Sequence, residues 1–150
     1  MNVRTLAERK HDVLQRLTED VDIWVATADG DAPYLIPLSF LWDGETLLLS
    51  TAANTPTGRN LQANGNTRMS LGPTRDLALI DGTVDKILPA GDIPANVGDT
   101  FAAKTGFDPR RIKAPYLYFH IAPHRIQVWR EENEIAGRDV MLDGTWLKDN

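Results

Sequence analysis

Residues 47 to 65 read LLLSTAANTPTGRNLQANG, a run in which a hydrophobic strand empties into hydroxyls and an arginine. Ser50 and Thr51 end the strand, Thr55-Pro56-Thr57-Gly58-Arg59 opens a second segment, and Asn64-Gly65 closes it. Thr before Pro is a helix start: the hydroxyl accepts from a backbone N–H further on, and Pro in the first helical position gives up a donor that would lack a partner anyway. Gly65 is the matching stop, because Gly enters the left-handed conformation at least cost. The spacing predicts a one- to two-turn helix capped by Thr55. The free N–H groups and dipole of a helix N-terminus favour negative charge. With Arg59 beside it, the segment reads either as an anion cradle or as an ordinary capped surface helix.

Other candidate groups carry less. His120 and His124 are four apart, but an extended strand would separate them by ~13 Å. Pro123 lies between them and no acidic or Cys partner shares the run, so they read as structural and no metal site is expected. Asp81 and Asp85 share a strand parity, yet Gly82 and polar neighbours make a solvated face the simpler account. Ser39, Ser50 and Ser70 lack a nucleophile-elbow context, and neither common Gly-rich nucleotide loop occurs. Hydrolytic and P-loop chemistry are disfavoured.

The elements that must position these groups follow from periodicity. Residues 3 to 18 place Val3, Leu6, Ala7, Val13, Leu14 and Leu17 at helical spacing among charges. Residues 23 to 52 form three β-rich runs punctuated by Asp29-Gly30 and Asp43-Gly44, the dipeptides of tight hairpins, which predicts a three-stranded meander. The second run is apolar on both faces, which places it deep in the sheet. Pro37 within it cannot donate to a ladder, so a local opening of the sheet is expected there. Pro37-Leu38-Ser39 and Ser50-Thr51 then face one another across the ladder, both leading toward Thr55. Two further strands are expected in "TRMSLGPT" and "LALIDGTVDKIL", a helix from Pro94 to Gly106 serving as crossover or lid, and a late strand or strand pair kinked at Pro123. A C-terminal tail carries Trp146.

The 150 residues, 42% apolar and without repeats or linkers, suit one domain, 1–150, able to bury roughly 70% of its unfolded surface. Six or seven strands with two or three short helices make a mainly β fold, and sheets with so many hairpins usually close into a barrel. The charged opening MNVRTLAERKHDVLQRL is unlike a signal peptide and no apolar run approaches ~20 residues, so a cytoplasmic protein with no membrane partner is expected. Cys is absent, which excludes disulfides and thiolate chemistry, and the net charge of −5 argues against nucleic acid as a partner.

The run from Ile23 to Leu71, above all "PLSFLWDGETLLLSTAANTPTGRNL", resembles the flavin-binding split β-barrels that include pyridoxamine 5'-phosphate oxidase and the deazaflavin (F420)-dependent reductases. "GPTRDLALIDG", "DPRRIKAPYLYFHIAPHRIQVWRE" and "GRDVMLDGTWL" resemble the later strands of its small members. The resemblance implies a homodimer with two cofactor sites at the subunit interface, binding FMN, or alternatively F420, and passing a hydride to or from a small-molecule substrate. Carried over residue by residue, Pro37, Leu38 and Ser39 line the ring, Ser50 and Thr51 meet the ring edge or ribityl chain, and Thr55, Thr57 and Arg59 hold the phosphate. Trp129 is placed to reach the partner's site. Many members have Lys or Arg where this chain has Thr57 or Gly58, so the phosphate grip is less basic here. A flavin-binding protein without turnover, or a barrel with a degenerate site, are the alternatives. Arg75, Arg110, Arg111 and Lys113 are the basic residues expected along an exit for the acidic tail of F420.

Overall fold

A computed structural model describes residues 2–149. Helix α1 (Leu6–Glu19) opens the chain, followed by β1 (Asp22–Asp29), β2 (Ala32–Trp42) and β3 (Leu47–Ala52), then α2 (Pro56–Ala63), β4 (Asn66–Leu71) and β5 (Leu77–Pro89). Helix α3 (Ala95–Thr105) precedes β6 (Tyr116–Trp129), and β7 (Asp139–Leu142) with β8 (Thr145–Trp146) ends the chain. The strands run in the order β3-β2-β1-β4-β5-β6 and β6 pairs back onto β3, closing a six-stranded antiparallel barrel. The expected mainly β split barrel with a few short helices is the observed fold. Among the described residues no helix is long and apolar enough to cross a membrane.

The meander forms as the turn residues require. Gly30, with φ of 69°, takes the first central position of a two-residue loop, the arrangement of a II′ hairpin, and thereby fixes the register from Asp29↔Ala32 to Asp22↔Ser39. Asp43 builds the next turn, its Oδ1 accepting from the N–H groups of Glu45 and Thr46. Bulges at Asp85 and His124, where the β5–β6 register shifts, let the two longest strands bend round the barrel.

Alternation fills the interior with Ile23, Val25, Leu49, Met69, Ile80, Phe119 and Ile126, each at most 2% exposed. Helix α1, with a Thr5–Glu8 capping box, adds Val13 and Leu17 to this core. Its entry is held by Arg4, which bonds both oxygens of the buried Glu134, and by Arg9, whose guanidinium donates to the carbonyls of Arg4, Val128, Glu134 and Gly137.

Three expectations need correction. The second strand does not lie deep in the sheet: β3 pairs only with Phe40, Leu41 and Trp42, so residues 32–39 have β1 on one side and no strand on the other, and Leu35 is 59% exposed. Its two apolar faces reflect an uncovered edge rather than depth. The C-terminal segment is a β7–β8 hairpin and not a tail, because Asp143 and Gly144 both take positive φ and form a two-residue I′ loop between Leu142 and Thr145. The late run takes the single-strand alternative, bulged at His124 beside Pro123, and the strands among the described residues number eight rather than six or seven.

Candidate functional site

The opening of the sheet expected at Pro37 is the feature around which the site is built. The Phe40 N–H bonds Val21 O, and alternation along the strand therefore turns the nitrogens of Pro37 and Ser39 away from β1, toward the open edge. Pro37 costs no rung there. Beyond Phe40↔Leu49 the β2–β3 ladder stops, whereas β3 continues along β6 as far as Ala52↔Tyr116. The two strands part, and a cavity of about 360 Å³ occupies the gap.

One wall of the cavity is barrel: Pro37, Leu38 and Ser39 from β2, with Ser50 and Thr51 from β3. The facing wall is Phe101 of α3, Phe107 just after it, and Tyr116 at the start of β6, with Asp22 at the edge. Phe107 and Tyr116 stand with ring centroids 5.5 Å apart. Thus five of the nine residues expected at a cofactor site meet in one cavity of a size that suits a small ligand.

Helix α3 is brought here by a second, smaller core on the outside of the barrel wall. Leu48 and Tyr118 point outward from β3 and β6 and are buried with Ile93 and Phe101, the Phe101 ring standing edge-on to Tyr118 at 5.5 Å. All six residues of β3 are buried, because barrel core covers one face and α3 the other. Gly106, at φ of 74°, ends the helix. Arg110 then ties the following turn together by bonding Asp108 and Asp99, and its guanidinium packs so close to Gly98 that any side chain there would collide with it. Lys104 donates to Leu17 O and lies 4.1 Å from the centre of the Phe40 ring, joining α3 to α1 and β2. Burial pushes the Tyr118 phenol above its ordinary value, reinforced by the Asp108 carboxylate.

A hydroxyl contact links the cavity lining to the helix start. Thr51 Oγ1 is 3.1 Å from Thr55 Oγ1, which caps α2 by accepting from the Gly58 N–H. The predicted one- to two-turn helix is therefore present, eight residues long, with the predicted cap. Gly58 has a reason to be Gly: a Cβ there would run into the carbonyl of Ala52, so no longer residue fits without shifting α2 from the end of β3.

The other expected residues lie elsewhere. Thr57 is wholly enclosed and its hydroxyl has no hydrogen-bond partner among the described residues. Arg59 is exposed and donates from Nη1 to Asn54 O. Trp129, at the far end of β6 from Tyr116, stacks beneath Arg138 at 5.7 Å, outside the cavity of its own chain. Three of the four basic residues proposed for an exit are engaged: Arg75 pairs with Glu131 at 2.6 Å, Arg110 as described, and Arg111 approaches Asp108 at 3.6 Å, whereas Lys113 is exposed. His120 is on the outer face of β6 and burial pushes its imidazole below the ordinary value, against the pull of Asp43. Among the described residues no group of His, Cys, Asp or Glu is arranged to hold a metal.

Asp22, Phe101, Phe107 and Tyr116 line the cavity and were not singled out in the sequence as site residues. The two-residue hairpin loop fixes the Asp22↔Ser39 rung, so Asp22 was findable from register. The aromatics belong to a connection whose landing place no local pattern specifies. A larger groove of about 610 Å³ runs between the β1–β2 hairpin end and β4–β5, past Asn64, Arg68 and His124. Its arginine is spent on Asp81 at 3.0 Å and it has no aromatic wall, so the parted strands make the better ligand site.

Comparison with known structures agrees with this architecture. An F420 reductase is similar with a TM-score of 0.63 at 21% identity, over 75% of this chain and 93% of that one. An FAD-binding protein from Mesorhizobium loti gives 0.62 at 17%, over 78% and 89%, and general stress protein 26 from Bacillus anthracis gives 0.58 at 17%, over 81% and 95%. At these identities the likeness is one of fold. A search of curated proteins finds no match. The family model described as pyridoxamine 5'-phosphate oxidase matches residues 11–130, which takes in all six strands of the barrel and leaves out the β7–β8 hairpin, and the chain therefore belongs to the pyridoxamine 5'-phosphate oxidase family of flavin-binding split barrels.

Proposed function

We propose that the chain is a cytoplasmic flavin-dependent oxidoreductase, with FMN as cofactor and F420 as the alternative, that transfers a hydride to or from a small organic substrate. The observation that carries this reading is the parting of β2 and β3, which lays Pro37, Leu38, Ser39, Ser50 and Thr51 along one side of a cavity roofed by aromatic rings. A planar ring suits such a slot: strand backbone on one side and Phe107 and Tyr116 on the other offer flat contact. The cofactor would supply the hydride chemistry while these residues bind and orient it and the α3 wall excludes water. The engaged state of Arg75, Arg110 and Arg111 favours FMN, since an acidic tail would have to win them from Glu131, Asp99 and Asp108.

The chemistry of the residues suits the ring end better than the phosphate end. Thr57 is enclosed, Gly58 is filled against backbone, and Arg59 faces solvent. That one observation favours the second reading, a flavin-binding protein without turnover or a barrel whose site has lost its cofactor.

We infer assembly as a homodimer with the sites at the subunit interface. Trp24 and Leu35, 50% and 59% exposed, and Pro37 project from the outer face of β1 and β2, and Pro37 belongs to the cavity as well. An apolar patch continuous with a binding site is where a second copy would complete it, and Trp129 of that copy is available to reach in. Absorbance titration of the purified chain with FMN and F420, followed by anaerobic reduction, tests the cofactor. Saturable spectral shifts with reversible bleaching support an enzyme, shifts without turnover of any reductant support the binding protein, and a chain that shifts neither spectrum refutes both.

A further inference from the structure

The edge of β6 that faces away from β5 changes partner along its length. β3 holds it as far as Leu47↔Ile121, and β7 takes over only at Ile126↔Met141. Ala122 and Pro123 fall in the interval, where a groove of about 630 Å³ opens between the β2–β3 turn and the β7–β8 hairpin. That volume is in the range of small-ligand pockets. Two half-buried indoles line it, Trp42 at the end of β2 and Trp146 in β8, each packed in part on the barrel core. The groove shares no residue with the cofactor cavity. Nor does it include Trp24, Leu35 or Pro37, the patch assigned to a second copy: Trp42 and Leu35 differ in parity along β2, which puts Trp42 on the core-facing side. The lining is therefore supplied by one chain.

Glu45 and Asp85 are the charged side chains of this lining, and neither makes an ion pair or hydrogen bond with a described residue. Asp85 stands at the β5 bulge, outside the ladder register. Thr46 spends its hydroxyl proton on Asp43 Oδ2 at 2.7 Å and keeps lone pairs to offer. Three basic groups stand around the groove without lining it. Lys10 lies 5.4 Å from the centre of the Trp146 ring, and Lys86 follows Asp85 in an exposed part of β5. His120 Nδ1 is 3.4 Å from Thr46 Oγ1, and burial pushes the imidazole below its ordinary value, so it is neutral at pH 7. The Lys10 contact already places one cation on one of the two indoles, whose faces attract positive charge through the ring quadrupole. We propose that this groove is a second ligand site, separate from the cofactor cavity, that binds small amines with a flat apolar body. The body lies against Trp42 and Trp146, and the ammonium is held by Glu45 and Asp85. A carboxylate on the same body meets two like charges there.

The test titrates the nitrogen-15-labelled full-length chain at low salt and pH 7 with three ligands of one bicyclic shape: 2-naphthylmethylamine, a cation; 2-naphthalenemethanol, neutral; and 2-naphthoate, an anion. The four indole N–H resonances, assigned with single Trp-to-Phe variants, report where each ligand binds. The amine should move the Trp42 and Trp146 signals saturably and leave those of Trp24 and Trp129 in place. The alcohol should bind more weakly and the carboxylate more weakly again, with at least about tenfold between the extremes, the size of one charge-assisted hydrogen bond. Glu45→Gln combined with Asp85→Asn, both at exposed positions and with folding checked by the melting temperature, should bring the ratio of amine to carboxylate affinity close to one. Added FMN should leave the amine affinity unchanged, because the two sites share no residue. The proposal is overturned by equal affinity for amine and carboxylate, by a ratio untouched in the paired variant, or by the absence of a saturable shift at millimolar amine. Shifts confined to Trp24 or Trp129, or displacement of the amine by FMN, put the amine elsewhere on the chain and overturn it as well.

Discussion

Replacing Glu134 with Gln should remove most of a specific acid sensitivity from this fold. Glu134 is 1% exposed, and its two oxygens accept from Arg4 N at 2.8 Å, Arg4 Nε at 3.0 Å, Arg4 Nη2 at 2.7 Å and the Arg130 N–H at 2.8 Å. Arg4 above all, aided by the Arg130 N–H and against the cost of burial, holds its carboxyl at about 2 rather than 4.5. A depressed carboxylate adds stability that is complete above the unfolded value and disappears as pH falls toward the folded one. The gap between 4.5 and about 2 corresponds to about 3 kcal/mol, lost between roughly pH 5 and pH 2. At pH 7 Glu134→Gln leaves Arg4 with only Asp12 and Asp76 for company, and breaking a buried pair costs about 3–5 kcal/mol. Urea unfolding of both proteins across this range reads the difference directly. The stability gap should be 3–5 kcal/mol at neutral pH and shrink by about 3 kcal/mol toward pH 2. Other carboxylates titrate equally in both proteins and cancel. A gap that stays constant with pH would show that Glu134 is not held by Arg4 in this way.

Gly58→Ala should lower stability by about 1–3 kcal/mol, as overpacking does, and weaken FMN binding with it, because α2 must shift from the end of β3 that carries Thr51; chemical denaturation and FMN titration measure the two effects. Arg59→Ala should change folding by less than about 0.5 kcal/mol, since its side chain is exposed and makes one bond to Asn54 O, while any fall in FMN affinity reports that it swings to a phosphate. Leu35→Lys together with Trp24→Lys should convert a dimer to a monomer in light scattering at micromolar concentration without changing the far-UV spectrum, as both side chains lie on the outer face of the sheet.

The local signals in the sequence were sufficient for most elements and insufficient for two relationships between them. Turn dipeptides located the meander, Thr55-Pro56 and Gly65 bounded α2, and Pro37 marked the opening of the sheet, because each acts through its own backbone conformation. Ser39 and Ser50 could be brought together on the same grounds, through the turn at Asp43-Gly44. The exposed edge of β2 was illegible, since a strand apolar on both faces looks the same whether a neighbour or a second subunit covers it. The aromatic wall was illegible for a different reason. Phe101 and Phe107 sit on a connection between β5 and β6, and where that connection lands is decided by packing on Tyr118 of the next strand and on Leu48, far away in the chain. The Asp143-Gly144 turn carries a weak signal because the strands it joins are short, four residues in β7 and two in β8.

The crystal structure of the chain grown with FMN tests the central claim most directly. The account predicts the isoalloxazine ring between the parted edges of β2 and β3 and the rings of Phe107 and Tyr116, touching Ser39, Ser50 and Thr51. A ring lodged instead in the groove beside Asn64, Arg68 and His124, or no bound FMN at saturating concentration, would contradict it.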